Sequence, residues 1–211
     1  MSQLHKNIVD LYSLLHGQVI YTNNNSVSFQ GSQKQVEFFK AWDCISDYYS
    51  KNKKQELTLL EVGAWKGLWG LAFYEFCKLN NIKGKYVTVT WISHDAEPNK
   101  CLHNTIQHLN SNGLEAVLID GDSTDSQTVD QVKNAMANYD IVFIDASHEY
   151  DYVMKDIKNY APMAKDILAF HDIRSKDAGV YKAIIESKVV LNEEIVDSED
   201  TMGIGIKYIK P

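Results

Sequence analysis

Two stretches of this chain end an unbroken apolar run in a group of titratable side chains, and that pattern restricts the folds open to it. Ile141-Val142-Phe143-Ile144 leads directly into Asp145, Ser147, His148 and Glu149. Ile167-Leu168-Ala169-Phe170 leads into His171 and Asp172. Short apolar runs with no polar alternation read as strands covered on both faces, the condition of a central parallel sheet. In an open α/β sheet the C-terminal ends of parallel strands lie side by side and line the ligand crevice. The two endings are therefore expected to meet in one site.

The rest of the chain supplies the alternation such a sheet needs. Leu57 to Gly63, Tyr86 to Ile92 and Ala116 to Ile119 read as further strands. Helical apolar spacing is expected over Gly67 to Leu79, from about Pro98 to Asn112, over Thr124 to Ala137, over Tyr150 to Ala161 and over Ala178 to Ser187. Val189 to Val196 and Gly203 to Ile209, joined by a short acidic turn, read as an antiparallel hairpin. Leu4, Ile8, Leu11 and Leu15 recur at helical spacing, and a second helix carries Phe39, Trp42 and Ile45 on one face. Between these two helices, Gly17 to Ser32 is polar and punctuated and reads as a loop, either a plain surface connection or a lid. The expected fold is an α/β, three-layer Rossmann-like sandwich with a mostly parallel seven-stranded sheet and an antiparallel C-terminal hairpin. Residues 1–55 are expected to form an N-terminal helical extension, and residues 56–211 the main domain.

With 45% hydrophobic residues, a chain of 211 residues can bury a full core. Its net charge of −7 disfavours nucleic acid as a partner, and Lys51, Lys53 and Lys54 read as a solvated face. The three cysteines have no CxxC spacing and read as free thiols in a reducing compartment. The first residues lack the pattern of a signal peptide, and no apolar run reaches the ~18 residues of a spanning helix. A cytoplasmic protein with no membrane partner is expected.

The turn Glu61-Val62-Gly63-Ala64-Trp65-Lys66-Gly67 joins the first of these strands to its helix. Glycines here let the backbone approach a ligand and aim a helix N-terminus at it. A phosphate loop is excluded, because Lys66 precedes Gly67 and no Ser or Thr follows. A GxGxxG dinucleotide fingerprint is excluded too, since the glycines fall at 63, 67 and 70. The spacing that remains is ExGxxxG.

LLEVGAWKGLWGLAF, IVFIDASHEYDYVMKDIKNYAPM and ILAFHDI together resemble the class I S-adenosylmethionine-dependent methyltransferases. They are similar in particular to the branch of sugar- and antibiotic-modifying O-methyltransferases and cephalosporin-hydroxylase-like proteins. That branch shows an IDG-x-H-x-Y segment after its fourth strand and an FHD segment after its fifth. The resemblance spans about Thr58 to Val180. This chain departs from it at Trp65, where many methyltransferases have a middle glycine, and at Ala146, where IDG has its glycine. Ala164-Lys165-Asp166 stands where a Pro-Gly-Gly turn is usual.

The resemblance implies a place for each cofactor residue. Glu61 and Gly63, with Trp65 and Gly67 in the same turn, would face the methionine part. Asp95 or Glu97 would hold the ribose hydroxyls, since a carboxylate can accept two hydrogen bonds from a cis-diol. Asp122 and Ser123 would lie beside the adenine, although either can serve instead as a helix N-cap. Asp145, His171 and Asp172 resemble the positions that hold a divalent cation in metal-dependent O-methyltransferases. Oxygen ligands suit Mg²⁺, and a histidine in the set tilts the preference toward Mn²⁺.

His148 and His171 are the candidate general bases beside Asp145, because an imidazole titrates near neutrality. Tyr150 and Tyr152 read as helix packing. The expected activity is S-adenosylmethionine-dependent O-methylation of a small hydroxylated molecule: a sugar, a glycoside or a polyphenol. The alternatives are a nucleoside-binding or assembly protein on the same fold without catalysis, and a metal enzyme of other chemistry such as a hydroxylase-like protein. The amphipathic N-terminal helices can pack on the domain or on a second copy, which leaves a homodimer open.

Overall fold

The computed structural model describes residues 1–16, 19–21, 27–29, 35–92, 97–174, 179–197 and 202–210. The chain opens with α1 (Gln3–His16), two short strands β1 (Val19–Tyr21) and β2 (Val27–Phe29), and α2 (Gln35–Lys51). The alternation follows: β3 (Glu56–Val62), α3 (Leu68–Asn80), β4 (Lys83–Thr90), α4 (Glu97–Ser111), β5 (Glu115–Asp120), α5 (Ser126–Ala135), β6 (Tyr139–Ile144) and α6 (Tyr150–Tyr160). A 3₁₀ turn at Ala161–Met163 leads to β7 (Ala164–His171), then α7 (Val180–Glu186), β8 (Glu193–Ile195) and β9 (Ile204–Tyr208).

Seven strands form one sheet in the order β5-β4-β3-β6-β7-β9-β8. β3 to β7 are parallel, and β9 runs antiparallel to both β7 and β8. From β3 the chain passes to β4 on one side and later returns to β6 on the other. The topological switch point therefore falls between the C-terminal ends of β3 and β6, where such sheets bind ligands.

Side chains along a strand alternate faces, and both faces of this sheet are covered. Leu57 and Leu59 of β3, with Ile141 and Phe143 of β6, join a core built with α1, α2 and α3. Leu60 and Val62, with Val142 and Ile144, join a second core built with α5, α6 and α7. Two-sided burial explains the unbroken apolar runs. Trp69 of α3 stacks on Phe143 at 3.8 Å, and Trp42 of α2 lies against Trp69 at 5.4 Å. Truncating a buried ring such as Phe143 to alanine costs about 3–5 kcal/mol. The N-terminal helices thus share a core with the strand that delivers Asp145.

Three expectations change here. The segment Gly17 to Ser32, expected as a loop, contains a β1–β2 hairpin with Val19 opposite Phe29. Val, Ile, Tyr and Phe favour strands, but runs of three among polar residues give little periodic signal. The rest of that segment lies outside the described residues. Lys54, expected on a solvated face, instead bridges Asp140 (2.6 Å) and Asp166 at the N-terminal ends of β6 and β7. β8 is shorter than the expected Val189 to Val196, because Val189 and Leu191 pack against the second core rather than entering the ladder.

Candidate active site

The turn after β3 packs against the chain leaving β6. Gly63 N–H donates to the Val89 carbonyl at 2.8 Å, and Asp145 N–H donates to the Val62 carbonyl at 2.7 Å. Gly63 has φ +88°, and a Cβ there would lie 2.2 Å from the Asp145 carbonyl oxygen. Any side chain at this position is excluded. Gly67 also takes a left-handed conformation (φ +79°), and its N–H closes the turn on the Ala64 carbonyl at 2.6 Å. Between them Trp65 has φ +46°. Every second residue of the turn is thus left-handed, and a tryptophan occupies one of the three places.

Glu61 does not face this cleft. Its side chain is buried, accepts a short hydrogen bond from the Tyr86 hydroxyl and takes a second from the Gly70 N–H. Burial pushes its pKa well above the usual carboxylate range; Tyr86 and Gly70 offset part of this, and the Asp145 charge adds to it. The carboxyl ties β3, β4 and α3 together beneath the turn. Gly67 likewise points away, toward Thr105 and Leu102 of α4.

A cleft of about 600 Å³ opens over the switch point, within the range of small-molecule sites. Gly63 and Trp65 form part of its wall, followed by Val89, Thr90 and Trp91 at the end of β4. Gly121, Asp122 and Ser123 contribute from the end of β5. Asp122 Oδ1 accepts from the Thr124 N–H at 2.8 Å and hydroxyl at 2.9 Å, which braces that loop. Capping of α5 falls to Asp125, whose carboxylate accepts from Gln127 N–H at 3.0 Å, so neither Asp122 nor Ser123 is the cap. The Ser123 carbonyl accepts from the Tyr160 hydroxyl at 2.6 Å. Close by, Asp156 of α6 is fully buried, and neither of its oxygens takes an aligned hydrogen bond among the described residues. Burial pushes its pKa up to about 6; the adjacent Ser123 hydroxyl pulls it partly back, and Asp122 adds to the rise.

At the other end of the cleft the two strand endings meet. His171 Nδ1 donates to Asp145 Oδ1 at 3.2 Å and lies 3.3 Å from Asp172 Oδ2. His148 Nε2 lies 2.6 Å from Asp172 Oδ2 and 3.9 Å from Asp145 Oδ1. Asp172 is 3% exposed, has φ +59°, and its Oδ2 takes no aligned hydrogen bond despite these two close nitrogens. The carboxylates of Asp145 and Asp172 beside it raise His148 to about 10, with burial opposing. Burial lowers His171, but Asp145 and Asp172 outweigh it and bring that ring also to about 10. Burial raises Asp172, yet the two imidazoles outweigh it and hold the carboxyl well below the usual range.

One ligand atom each from Asp145, His148 and Asp172 gather within 4.8 Å of one another. The buried Asp172 Oδ2 lies close to two imidazole nitrogens and is aligned with neither. The donor set of two carboxylates and one imidazole fits a divalent ion. His148 thus stands with the two aspartates, as does His171, the histidine expected there. Its side chain is 53% exposed against 11% for His171, so His148 reaches into the cleft while His171 packs beside Asp145.

A family model described as a methyltransferase domain matches residues 60–173. The chain belongs to this family. It is of class I, the S-adenosylmethionine-dependent enzymes with a Rossmann-like sheet. Among solved structures, the O-methyltransferase NovP superposes with a TM-score of 0.63 at 10% identity, covering 97% of this chain and 98% of that one. The calicheamicin methyltransferase CalS11 gives 0.57 at 12% identity, covering 100% and 95%. MycE, a methyltransferase from the mycinamycin pathway, gives 0.57 at 15% identity, with 95% of this chain matching 53% of that one. A sequence search of curated proteins found no match.

In this methyltransferase Gly63 lets the turn after β3 pack directly on the Asp145–Ala146 backbone, and the turn lines the cleft over the switch point. Gly63, Trp65, Asp122, Ser123 and Asp145 line the cleft, as do His148, His171 and Asp172. Glu61 and Gly67 support it from behind. Asp95 lies outside the described residues, and Glu97 opens α4 with its side chain outside them. Thr90, Trp91 and Tyr152 line the cleft without having been singled out for it. Trp91 was legible as the residue leaving a buried strand at its C-terminal end. Tyr152 was not, because on a helix an aromatic residue in the first turn gives the same signal whether it packs or faces a ligand.

Proposed function

We propose that this methyltransferase moves a methyl group from S-adenosylmethionine to a hydroxyl of a small acceptor, with a divalent cation at Asp145, His148 and Asp172. The observation that carries this reading is the meeting of those three residues and His171 beside the Gly63 turn. The adenosine part would lie along Trp91, Asp122 and Ser123, and the methionine part against Gly63. When bound, S-adenosylmethionine supplies a methyl carbon already activated by its sulfonium, so the protein chiefly aligns and deprotonates the acceptor. A cation in the site would lower the pKa of the acceptor hydroxyl.

His171 is suited to take that hydroxyl proton. Its Nδ1–H is committed to Asp145, which leaves Nε2 as the basic nitrogen of the neutral ring. In the metal-free protein both imidazoles hold protons up to about pH 10, balancing the two aspartates. Cation binding at the aspartates and His148 therefore has to release protons. MycE was solved with Mg and S-adenosylhomocysteine, which supports a metal, and CalS11 is described as a TDP-rhamnose 3′-O-methyltransferase, which supports a hydroxylated acceptor. The net charge of −7 favours a small molecule over nucleic acid.

Asp172→Ala tests the assignment. Turnover should disappear while S-adenosylhomocysteine still binds with nearly unchanged affinity. Full activity in that variant would remove Asp172 from the mechanism.

A further inference from the structure

Trp65 stands out among the four tryptophans of the chain. Trp42 and Trp69 are fully buried in the core, whereas Trp65 is 53% exposed and Trp91 is 74% exposed, and both of these line the cleft. Trp91 leaves β4 beside Gly121 and Ser123, at the end of the cleft assigned to adenine. Trp65 lies two residues after Gly63, which abuts the Asp145 carbonyl, and it lines the same cleft as Asp145 and His148. Tyr152, 39% exposed, enters the same cleft from the first turn of α6, just past His148.

The backbone at Trp65 is left-handed at φ +46°, a conformation rare for a bulky side chain and natural to glycine. Among the described residues its indole makes no hydrogen bond or ring contact. The fold therefore holds a large flat side chain, strained and half in water, in the wall of the cleft. Strain of this kind collects at ligand clamps.

We propose that Trp65 determines acceptor specificity. Its indole face, with the Tyr152 ring, receives the flat carbon face of a hydroxylated six-membered ring and so turns one ring hydroxyl toward Asp145 and His171. Two sources offer that chemistry, the π-face of a phenol and the C–H face of a pyranose; an acyclic polyol offers neither. This inference rests on the O-methyltransferase reading of the same cleft.

The test uses the full chain and its Trp65→Gly and Trp65→Phe variants. Calorimetric titration first measures S-adenosylhomocysteine affinity. Saturation-transfer NMR on the loaded proteins then uses catechol and methyl α-L-rhamnopyranoside as separate probes. In the wild type, the ring protons of one probe should receive saturation from aromatic side chains. Trp65→Gly, which keeps the turn conformation, should bind that probe at least about tenfold more weakly while S-adenosylhomocysteine affinity stays within about threefold. Trp65→Phe should restore most of the probe binding. The proposal is overturned if neither probe binds the wild type, or if Trp65→Gly binds the responding probe equally well. It is also overturned if Trp65→Gly loses S-adenosylhomocysteine affinity instead, which would make the indole a cofactor wall. A wild type that fails to bind S-adenosylhomocysteine removes the underlying reading, and the calorimetry reports that before any probe is added.

Discussion

Replacing Asp156 by asparagine should stabilise this protein at neutral pH, an unusual outcome for a fully buried residue. Burial moves the Asp156 carboxyl from an ordinary value of 3.8 to about 6, and neither oxygen takes an aligned hydrogen bond. The folded form therefore binds this proton more tightly than the unfolded chain does. For an acid with a raised folded pKa the penalty is absent below the unfolded value, grows as pH climbs from about 4 to about 6, and is complete above that. A shift of roughly two pH units at about 1.4 kcal/mol each corresponds to a penalty near 3 kcal/mol. Asparagine has nearly the same shape and no charge to desolvate. Urea unfolding of both proteins at pH 4.5 and pH 8 isolates the effect, because titrations shared by the two cancel in the difference. Asp156→Asn should gain about 2 kcal/mol relative to wild type between those two pH values, since about a third of the penalty is already present at pH 4.5. A difference that does not change with pH, or a variant less stable at pH 8, would refute the reasoning and give Asp156 a charged or hydrogen-bonding partner.

Gly63→Ala should be severely destabilising, since its Cβ would overlap the Asp145 carbonyl and the backbone is left-handed. A loss of about 3 kcal/mol or more, seen as a melting midpoint lower by roughly 6–12 °C, is expected, with loss of S-adenosylhomocysteine binding. His148 should remain protonated at pH 8 in the metal-free protein and titrate near 10, measured by NMR of its ring, and Asp172→Asn should return it toward 6.5. Its contribution to stability is full below about pH 6.5 and lost as pH rises through about 10; because the ring is half exposed the energy is small, but Mn²⁺ affinity should rise with pH as the ion displaces the proton.

Much of the architecture could be read because two-sided burial leaves a plain mark. β3, β6 and β7 carry apolar residues on both faces, and the polar residues that follow each run mark the rim where ligands bind. That Asp145 and His171 would meet followed from parallel neighbours ending together. That His148 also reaches Asp172 did not follow, since it depends on side-chain reach: His171 is held at the strand end, whereas His148, on the connection to α6, turns back toward Asp172. The inward turn of Glu61 was hidden for a related reason. Its partner Tyr86 sits on another strand, and no local pattern records a pairing across a sheet. Lys54 escaped in the same way, because Asp140 and Asp166 reach it from β6 and β7. The Trp65 departure from a glycine pattern was visible at once, but only the backbone angle showed that the turn keeps the shape a glycine would give it.

The central claim is that the cleft over the β3–β6 switch point binds S-adenosylmethionine and that the aspartate–histidine cluster beside it binds a divalent cation. Calorimetric titration of the metal-free protein with S-adenosylmethionine, repeated with Mn²⁺ and with Mg²⁺, tests both halves together. The account predicts one cofactor site per chain and one cation site that disappears in Asp172→Ala while the cofactor site remains. No heat from S-adenosylmethionine under any of these conditions would contradict it.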